Sequence, residues 1–287
     1  MAQRWIGTSW KMTKTLAEAR AYAHGLAAAL AEPGAYPGVQ PFIIPPSTAI
    51  AAVRGVLGAR HRVLVGAQNA HWEDSGSWTG EVSVPQVADA GAELVEIGHS
   101  ERREHFGETI ATTRLKICAA LRHGLAPLLC VGEPSAVRES GDSTSYILAQ
   151  VRGGLAGLPE ESLAEVILAY EPIWAIGEHG RPATTAELVD PFASLEAEFG
   201  TRVRAVLYGG SVNHDNAAEL LTIPGVDGLF IGRSAWHLTD YLRLLDIASL
   251  GRSCESDEGS GLDRRLTPRP RGRSLRRRGT RSPGRRS

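Results

Sequence analysis

One pattern limits the fold more than any single motif. Short apolar runs alternate with longer helical segments eight times before residue 250. Strands are expected at 5–8, 41–44, 63–67, 94–97, 127–131, 166–170, 203–207 and 229–231. Helices are expected at 16–30, 48–57, 84–90, around 112–123, and at 146–155, 186–199, 213–221 and 235–248. The strand runs lack a clean apolar–polar alternation, as strands buried on both faces do. Eight strand–helix units in roughly 250 residues is the size and pattern of an α/β (β/α)₈ barrel. An open doubly wound sheet is the rival. It normally carries a Gly-rich fingerprint after its first strand, and Gly7-Thr8-Ser9-Trp10-Lys11 does not fit one.

The sequence divides at residue 250. Residues 1–250 form the expected barrel domain. From Gly251 to Ser287 there are twelve arginines against Glu255, Asp257, Glu258 and Asp263. That segment is therefore +8 and the rest −9, which together give the −1 of the whole chain. A run of Arg, Ser, Gly and Pro has almost nothing to bury, so a disordered basic tail is expected. No aromatic residue interleaves with the arginines, so base stacking is not on offer. A solvated extension is favoured over a nucleic-acid anchor. Cys118, Cys130 and Cys254 are far apart and odd in number, and make neither a metal spacing nor a disulfide framework. The N-terminus lacks a continuous apolar signal segment, and no apolar run is long enough to span a bilayer. A cytoplasmic protein is expected.

In a barrel, chemistry collects on the loops that follow the strands, at one face. The polar residues at those positions are Ser9, Lys11, Gln68, Asn69, His99, Glu133, Glu171, Gly209-Gly210-Ser211 and Gly232-Arg233. Among them are a base, an imidazole, an ammonium and two Gly-containing turns whose free N–H groups suit a phosphate. Glu171 is the most informative. It ends the run Val166–Tyr170, Pro172 follows at once, and the next segment, Ile173-Trp174-Ala175-Ile176, is apolar where a loop should be polar. A carboxylate under a greasy loop suits a base working in a dry pocket, although a surface Glu ending a core strand reads equally well in isolation.

These residues sit in longer stretches. They are Ala169-Tyr-Glu-Pro-Ile-Trp-Ala-Ile-Gly177, Glu96-Ile-Gly-His-Ser-Glu-Arg-Arg103, Ser9-Trp-Lys-Met12, Tyr208-Gly-Gly-Ser-Val212, Val65-Gly-Ala-Gln-Asn69 and Trp78-Thr-Gly-Glu81. Over residues 4–248 the chain resembles the triosephosphate isomerase family, itself a standard illustration of the TIM barrel, of tuned acid–base groups and of loop closure. The resemblance implies an aldose–ketose isomerase acting on a small sugar phosphate through an enediol(ate), with no metal or organic cofactor. Glu171 would accept the proton and His99 would act as a neutral electrophile. Lys11 would stabilise negative charge. Gly177, Ser211 and Gly232 would hold the phosphate, and Glu101 would lie near Lys11. The loop 68–81 would plug into a second copy: Thr79 would approach the partner's site, and Glu81 would pair with Arg102 across a homodimer.

Three departures from the usual family pattern gather at the substrate. Ser9 stands where Asn is usual, leaving a hydroxyl with room beside it. Arg233 stands where the last phosphate turn usually has a second Gly, and Glu178-His-Gly-Arg-Pro182 replaces the usual far hinge of the lid. With Gly7–Met12 and Ile231–Trp236, this resembles a sister group that interconverts L-erythrulose 1-phosphate and D-erythrose 4-phosphate in bacterial erythritol breakdown. That substrate is the leading expectation. Interconversion of glyceraldehyde 3-phosphate and dihydroxyacetone phosphate, as in glycolysis and gluconeogenesis, is the alternative. An inactive dimeric binding module is a remote third, which the joint presence of Glu171, His99 and Lys11 argues against.

Overall fold

The computed structural model describes residues 3–59, 61–177 and 180–250. Eight parallel strands close on themselves in chain order: β1 (Arg4–Ser9), β2 (Val39–Ile44), β3 (Leu64–Ala67), β4 (Leu94–Ile97), β5 (Ala126–Val131), β6 (Ile167–Tyr170), β7 (Ala205–Tyr208) and β8 (Gly228–Ile231). β8 pairs back onto β1, Trp5 opposite Gly228, so no strand edge is left open. The expected TIM barrel is therefore the fold. The segment 251–287, expected to be a basic tail, lies outside the described residues.

The helices that return the chain from one strand to the next begin with α1 (Leu16–Ala29), α2 (Ile50–Leu57), α3 (Val84–Asp89), α4 (Ser100–Phe106), α5 (Ile110–Arg122) and α6 (Ser135–Glu139). They continue with α7 (Ser143–Leu155), α8 (Glu160–Leu163), α9 (Thr185–Phe199), α10 (Ala217–Leu220) and α11 (Leu238–Leu250). α1 illustrates why they form where they do. Thr15 and Glu18 make a capping box, and Ala19, Tyr22, Ala23 and Leu26 recur on one buried face.

The structure adjusts several expected boundaries. α4 lies between β4 and α5, and the His99 side chain caps it by accepting the Glu101 N–H. The helix expected over 213–221 shrinks to α10, because the Asn213 side chain accepts from the N–H groups of Asp215 and Asn216 in a local turn. α6 and α8 were not expected; each follows a proline that pre-sets the first turn. β7 runs on to Tyr208, which still pairs with Tyr170.

Two apolar layers hold the barrel. Outward-facing strand residues such as Ile6, Ile43, Val65, Val95, Leu168 and Val206 pack against the helices. Inward-facing ones fill the interior, where Phe42 stacks on Phe230 and meets Trp5 at a tilt, and Leu94, Leu128, Ile167 and Leu207 complete the cluster. Side-chain direction alternates along each strand. The last inward positions on β1 and β4, after Gly7 and Leu94, are therefore Ser9 and Glu96, and the one just past β6 is Glu171. The interior changes from apolar to polar as it reaches the face where the strands end.

Candidate active site

Ser9, Lys11, His99, Glu171, Gly177, Ser211, Gly232 and Arg233 line one cavity of about 500 Å³ at the strand-end face. Every residue expected at the chemistry and phosphate positions is thus brought together. Thr79 and Glu81 are exposed on the long loop instead, and Glu81 and Arg102 border a neighbouring cavity of about 440 Å³ that meets the first at Ser9, Lys11 and His99.

Glu171 is fixed by its backbone, which donates to the Val131 carbonyl at 2.7 Å and follows a strand paired on both sides. Its neighbours must be small. A side chain at Gly209 would meet the Glu171 Cγ, and one at Gly132 would meet its carbonyl oxygen. The carboxyl group is 3% exposed. Burial first, and the nearby Glu96 second, push it up to about 8, against which the Cys130 thiol donates a hydrogen bond. Its Oε2 has no hydrogen-bond partner within the protein and faces the His99 Nε2 at 3.4 Å. The two reactive atoms oppose each other across a gap, free to engage a third group.

His99 is held in one orientation and one tautomer. Its Nδ1 accepts the Glu101 N–H at 3.1 Å, so Nε2 carries the proton and points at Glu171. Burial, then the Lys11 charge, depress the imidazole to about 4, and it is neutral through the physiological range. The turn before it is braced from below. Arg103 donates to the carbonyls of Gly98 and Cys130, while the buried Glu108 accepts from the Gly98 N–H, Arg102 and Lys116. Lys116 reaches on to Asn69. Such a satisfied buried network keeps a catalytic geometry from drifting.

Lys11 sits in left-handed backbone, φ 50°, an unusual state for a side-chain-bearing residue that costs about 1–3 kcal/mol and is found at functional sites. Gln68 holds the strained turn by donating to the Lys11 and Ile44 carbonyls. The ammonium pairs with Glu101 at 2.5 Å, as the motif reading expected.

The opposite wall is built from turns. Ile173–Ala175 forms one turn of 3₁₀ helix with Trp174 donating to Glu133 at 2.7 Å. Ser211 donates to the Ala175 carbonyl at 2.7 Å, and Arg233 donates to the Gly177 carbonyl at 3.0 Å. The loop over Glu171 is thus latched to the loops after β7 and β8. Its far hinge is unlike its near one. The Trp174 ring is flanked by the guanidinium groups of Arg138 and Arg181, and both arginines pair with Glu187. Glu178 and His179 of the same hinge lie outside the described residues.

Sequence reasoning did not single out Glu96, Cys130, Arg138 or Glu187. For Glu96 a signal existed: a lone charge inside the run Leu94-Val95-Glu96-Ile97, at a position of the same parity as the inward Leu94. For Arg138 and Glu187 there was none, because Arg138 reaches Trp174 from α6 and Glu187 joins it only through the two arginines.

Comparison with known proteins agrees with this geometry. The triosephosphate isomerase family matches residues 4–248. A protein of Mycolicibacterium smegmatis named L-erythrulose-1-phosphate isomerase is 62% identical over 249 residues, 86% of this chain and 94% of that protein. One of the same name from Mesorhizobium japonicum is 52% identical, covering 85% of this chain and 97% of its own length. The crystal structure of triosephosphate isomerase from Bartonella henselae superposes with a TM-score of 0.73 at 33% identity, over 85% of this chain and 98% of that one. A matched span that runs from the first strand to the last helix, and holds every residue of the cavity, means that the chain belongs to the triosephosphate isomerase family.

Proposed function

We propose that this protein is a sugar-phosphate isomerase working through an enediol(ate), with L-erythrulose 1-phosphate as its substrate. The observation that carries the reaction class is the Glu171–His99 gap of 3.4 Å at one end of a cavity whose other end is ringed by Gly177, Ser211 and Gly232. A phosphate bound at the turns sets the carbon chain across that gap. Glu171 takes the proton from C3, and the Nε2–H of His99 protonates the developing C2 enediolate oxygen to give the C2=C3 enediol. Return of the proton to C2 and loss of the C3 hydroxyl proton leave the carbonyl at C3. One such step therefore yields erythrulose 4-phosphate; erythrose 4-phosphate lies a second carbonyl shift away. The reaction is redox-neutral within the substrate.

Lys11 supplies positive charge beside the enediolate oxygens. Ser211 and Arg233, already bonded to the lid, keep it over the intermediate, where excluding water hinders loss of phosphate. The four-carbon substrate is supported by the names of the relatives at 62% and 52% identity and by the small Ser9 at the chemical end of the cavity. Turnover of dihydroxyacetone phosphate, which uses the same two groups one carbon shorter, is the competing reading. Side-by-side kcat/KM values on L-erythrulose 1-phosphate and dihydroxyacetone phosphate decide it. A marked preference for the four-carbon compound is expected, and preference for the three-carbon one sinks the substrate assignment.

We further propose a homodimer built on the loop bearing Thr79 and Glu81. Met12 (98% exposed), Phe106 (68%) and Trp78 (49%) are large apolar side chains left in solvent around it, and Met12, Phe106 and Arg102 border the second cavity. In this arrangement Thr79 of one copy enters that cavity of the other, and Glu81 pairs with Arg102 across the interface. Sedimentation equilibrium on the full chain tests it; a monomer at micromolar concentration contradicts it.

A further inference from the structure

The barrel interior holds one carboxylate for which neither the proton transfer nor the phosphate grip has a use. Glu96 lies on β4 between the apolar interior and the cavity, and its only hydrogen-bond donor among the described residues is the Ser9 hydroxyl, at 2.8 Å. The inward apolar cluster beneath it, which includes Leu94, Leu128, Cys130, Ala169 and Leu207, offers no strong donor, and Lys11 and Arg102 act on it through charge alone. A carboxylate has room for about four donors, and burying one with most of that capacity unused is costly. Its open side is the second cavity, which Glu96, Ser9 and His99 line together and which joins the substrate cavity at Ser9, Lys11 and His99, so Ser9 stands between Glu96 and the substrate space. The pair is thus arranged to receive a polar group arriving from the substrate.

The order of groups along the cavity says which one. The phosphate turns follow β6, β7 and β8, and the reacting carbons are drawn to Glu171 and His99. Any substrate carbon beyond the reacting pair, counted from the phosphate, continues toward the ends of β1 and β4. A three-carbon phosphate has none. A four-carbon ketose phosphate has one more, a hydroxymethyl group, and its hydroxyl is a donor.

We infer that Glu96, oriented by Ser9, accepts a hydrogen bond from the terminal hydroxymethyl of the substrate and so determines chain length. The inference rests on the four-carbon reading of this same cavity. It assigns Glu96 to binding, not to the proton transfer. Burial raises the Glu96 carboxyl to about 7, and both its charged and its neutral form retain acceptor oxygens for a hydroxyl. The charge it carries when ionised also explains part of the rise at Glu171.

Two variants of the full chain, Glu96→Leu and Glu96→Gln, test this at pH 9, where Glu171 is ionised. Two quantities are read: kcat/KM on L-erythrulose 1-phosphate, and the inhibition constant of 2-phosphoglycolate, a two-carbon phosphate that ends at the reacting carbons. Losing a charge-assisted hydrogen bond to substrate corresponds to about 10–100-fold. Glu96→Leu is expected to lose that much kcat/KM while 2-phosphoglycolate affinity stays within about threefold. Glu96→Gln, which keeps the shape and one acceptor oxygen, is expected to fall between it and the parent. Equal losses on both measurements in the Gln variant, or unchanged turnover in both variants, overturn the assignment and leave the substrate reading standing. A parent enzyme that prefers dihydroxyacetone phosphate overturns both.

Discussion

The two walls of the cavity are made of different material. On the side of β1 and β4, the groups facing the cavity are side chains: Ser9, Lys11, His99 and Glu101, with Glu96 bonded to Ser9. Each is fixed by a specific partner, as Lys11 by Glu101 and His99 by the Glu101 N–H. On the side of β6 to β8, beyond the base Glu171, the wall is built on turns that carry Gly177, Gly209, Gly210 and Gly232, with two side chains that tie the lid down. The contrast follows from what each end of the substrate demands. Moving a proton needs single atoms with controlled protonation states at set positions, which backbone amides cannot supply. Gripping a phosphate needs several donors around a diffuse charge, which backbone N–H groups provide at no side-chain entropy cost.

The comparison breaks hardest at Glu171. Glu171→Gln keeps the shape and removes the proton acceptor, so kcat is expected to fall about 10²–10⁴-fold with KM nearly unchanged, measured by steady-state kinetics. A loss confined to KM would make Glu171 a binding group and not the base.

The pH dependence comes next. Glu171 accepts a proton only when ionised, and it sits at about 8. Hence kcat/KM should fall about tenfold per unit below that value and level off above it. Glu96→Gln removes the neighbouring charge, lowers the Glu171 value and moves the acid limb to lower pH; a limb that stays put removes Glu96 from the electrostatics of the base. The same shift has a stability consequence of known sign. The folded chain holds protons on Glu96 and Glu171 that the unfolded chain releases above 4.5. Their contribution is complete below 4.5 and is lost as pH rises through about 7 and 8.

The smallest effect belongs to the phosphate wall. Arg233→Ala removes one bond to the Gly177 carbonyl and one exposed cation, and is expected to raise KM about three- to tenfold with kcat nearly kept. If kcat falls instead, the Arg233 latch limits lid closure and the two walls are less separate than they look.

Much of the fold was legible because its signal is local. Each strand is a short apolar run such as Leu128–Val131, the longer helices have an amphipathic face or a cap, and the count of eight fixes closure. The gaps in that reading are also physical. The short helix α4 depends on His99 acting as a cap, and the absent first turn of α10 depends on Asn213. The site was legible at Glu171, His99, Lys11 and Ser211 because each stands in a long stretch resembling one family. Glu96 was passed over, since a charge within an apolar run does not say which way it points until its neighbours are known.

The sequence by itself determined the alternation of elements, and with it the barrel, because propensity, periodicity and capping act within a few residues of each other. Only the tertiary structure decided that Glu171 and His99 face each other at 3.4 Å, that Ser9 meets Glu96 across 87 positions of chain, and that two arginines flank Trp174. Those distances follow from closing eight strands in one register. The physical reason is that protonation states and substrate fit depend on burial and on charges brought together from different strands, quantities that do not exist until the barrel is closed.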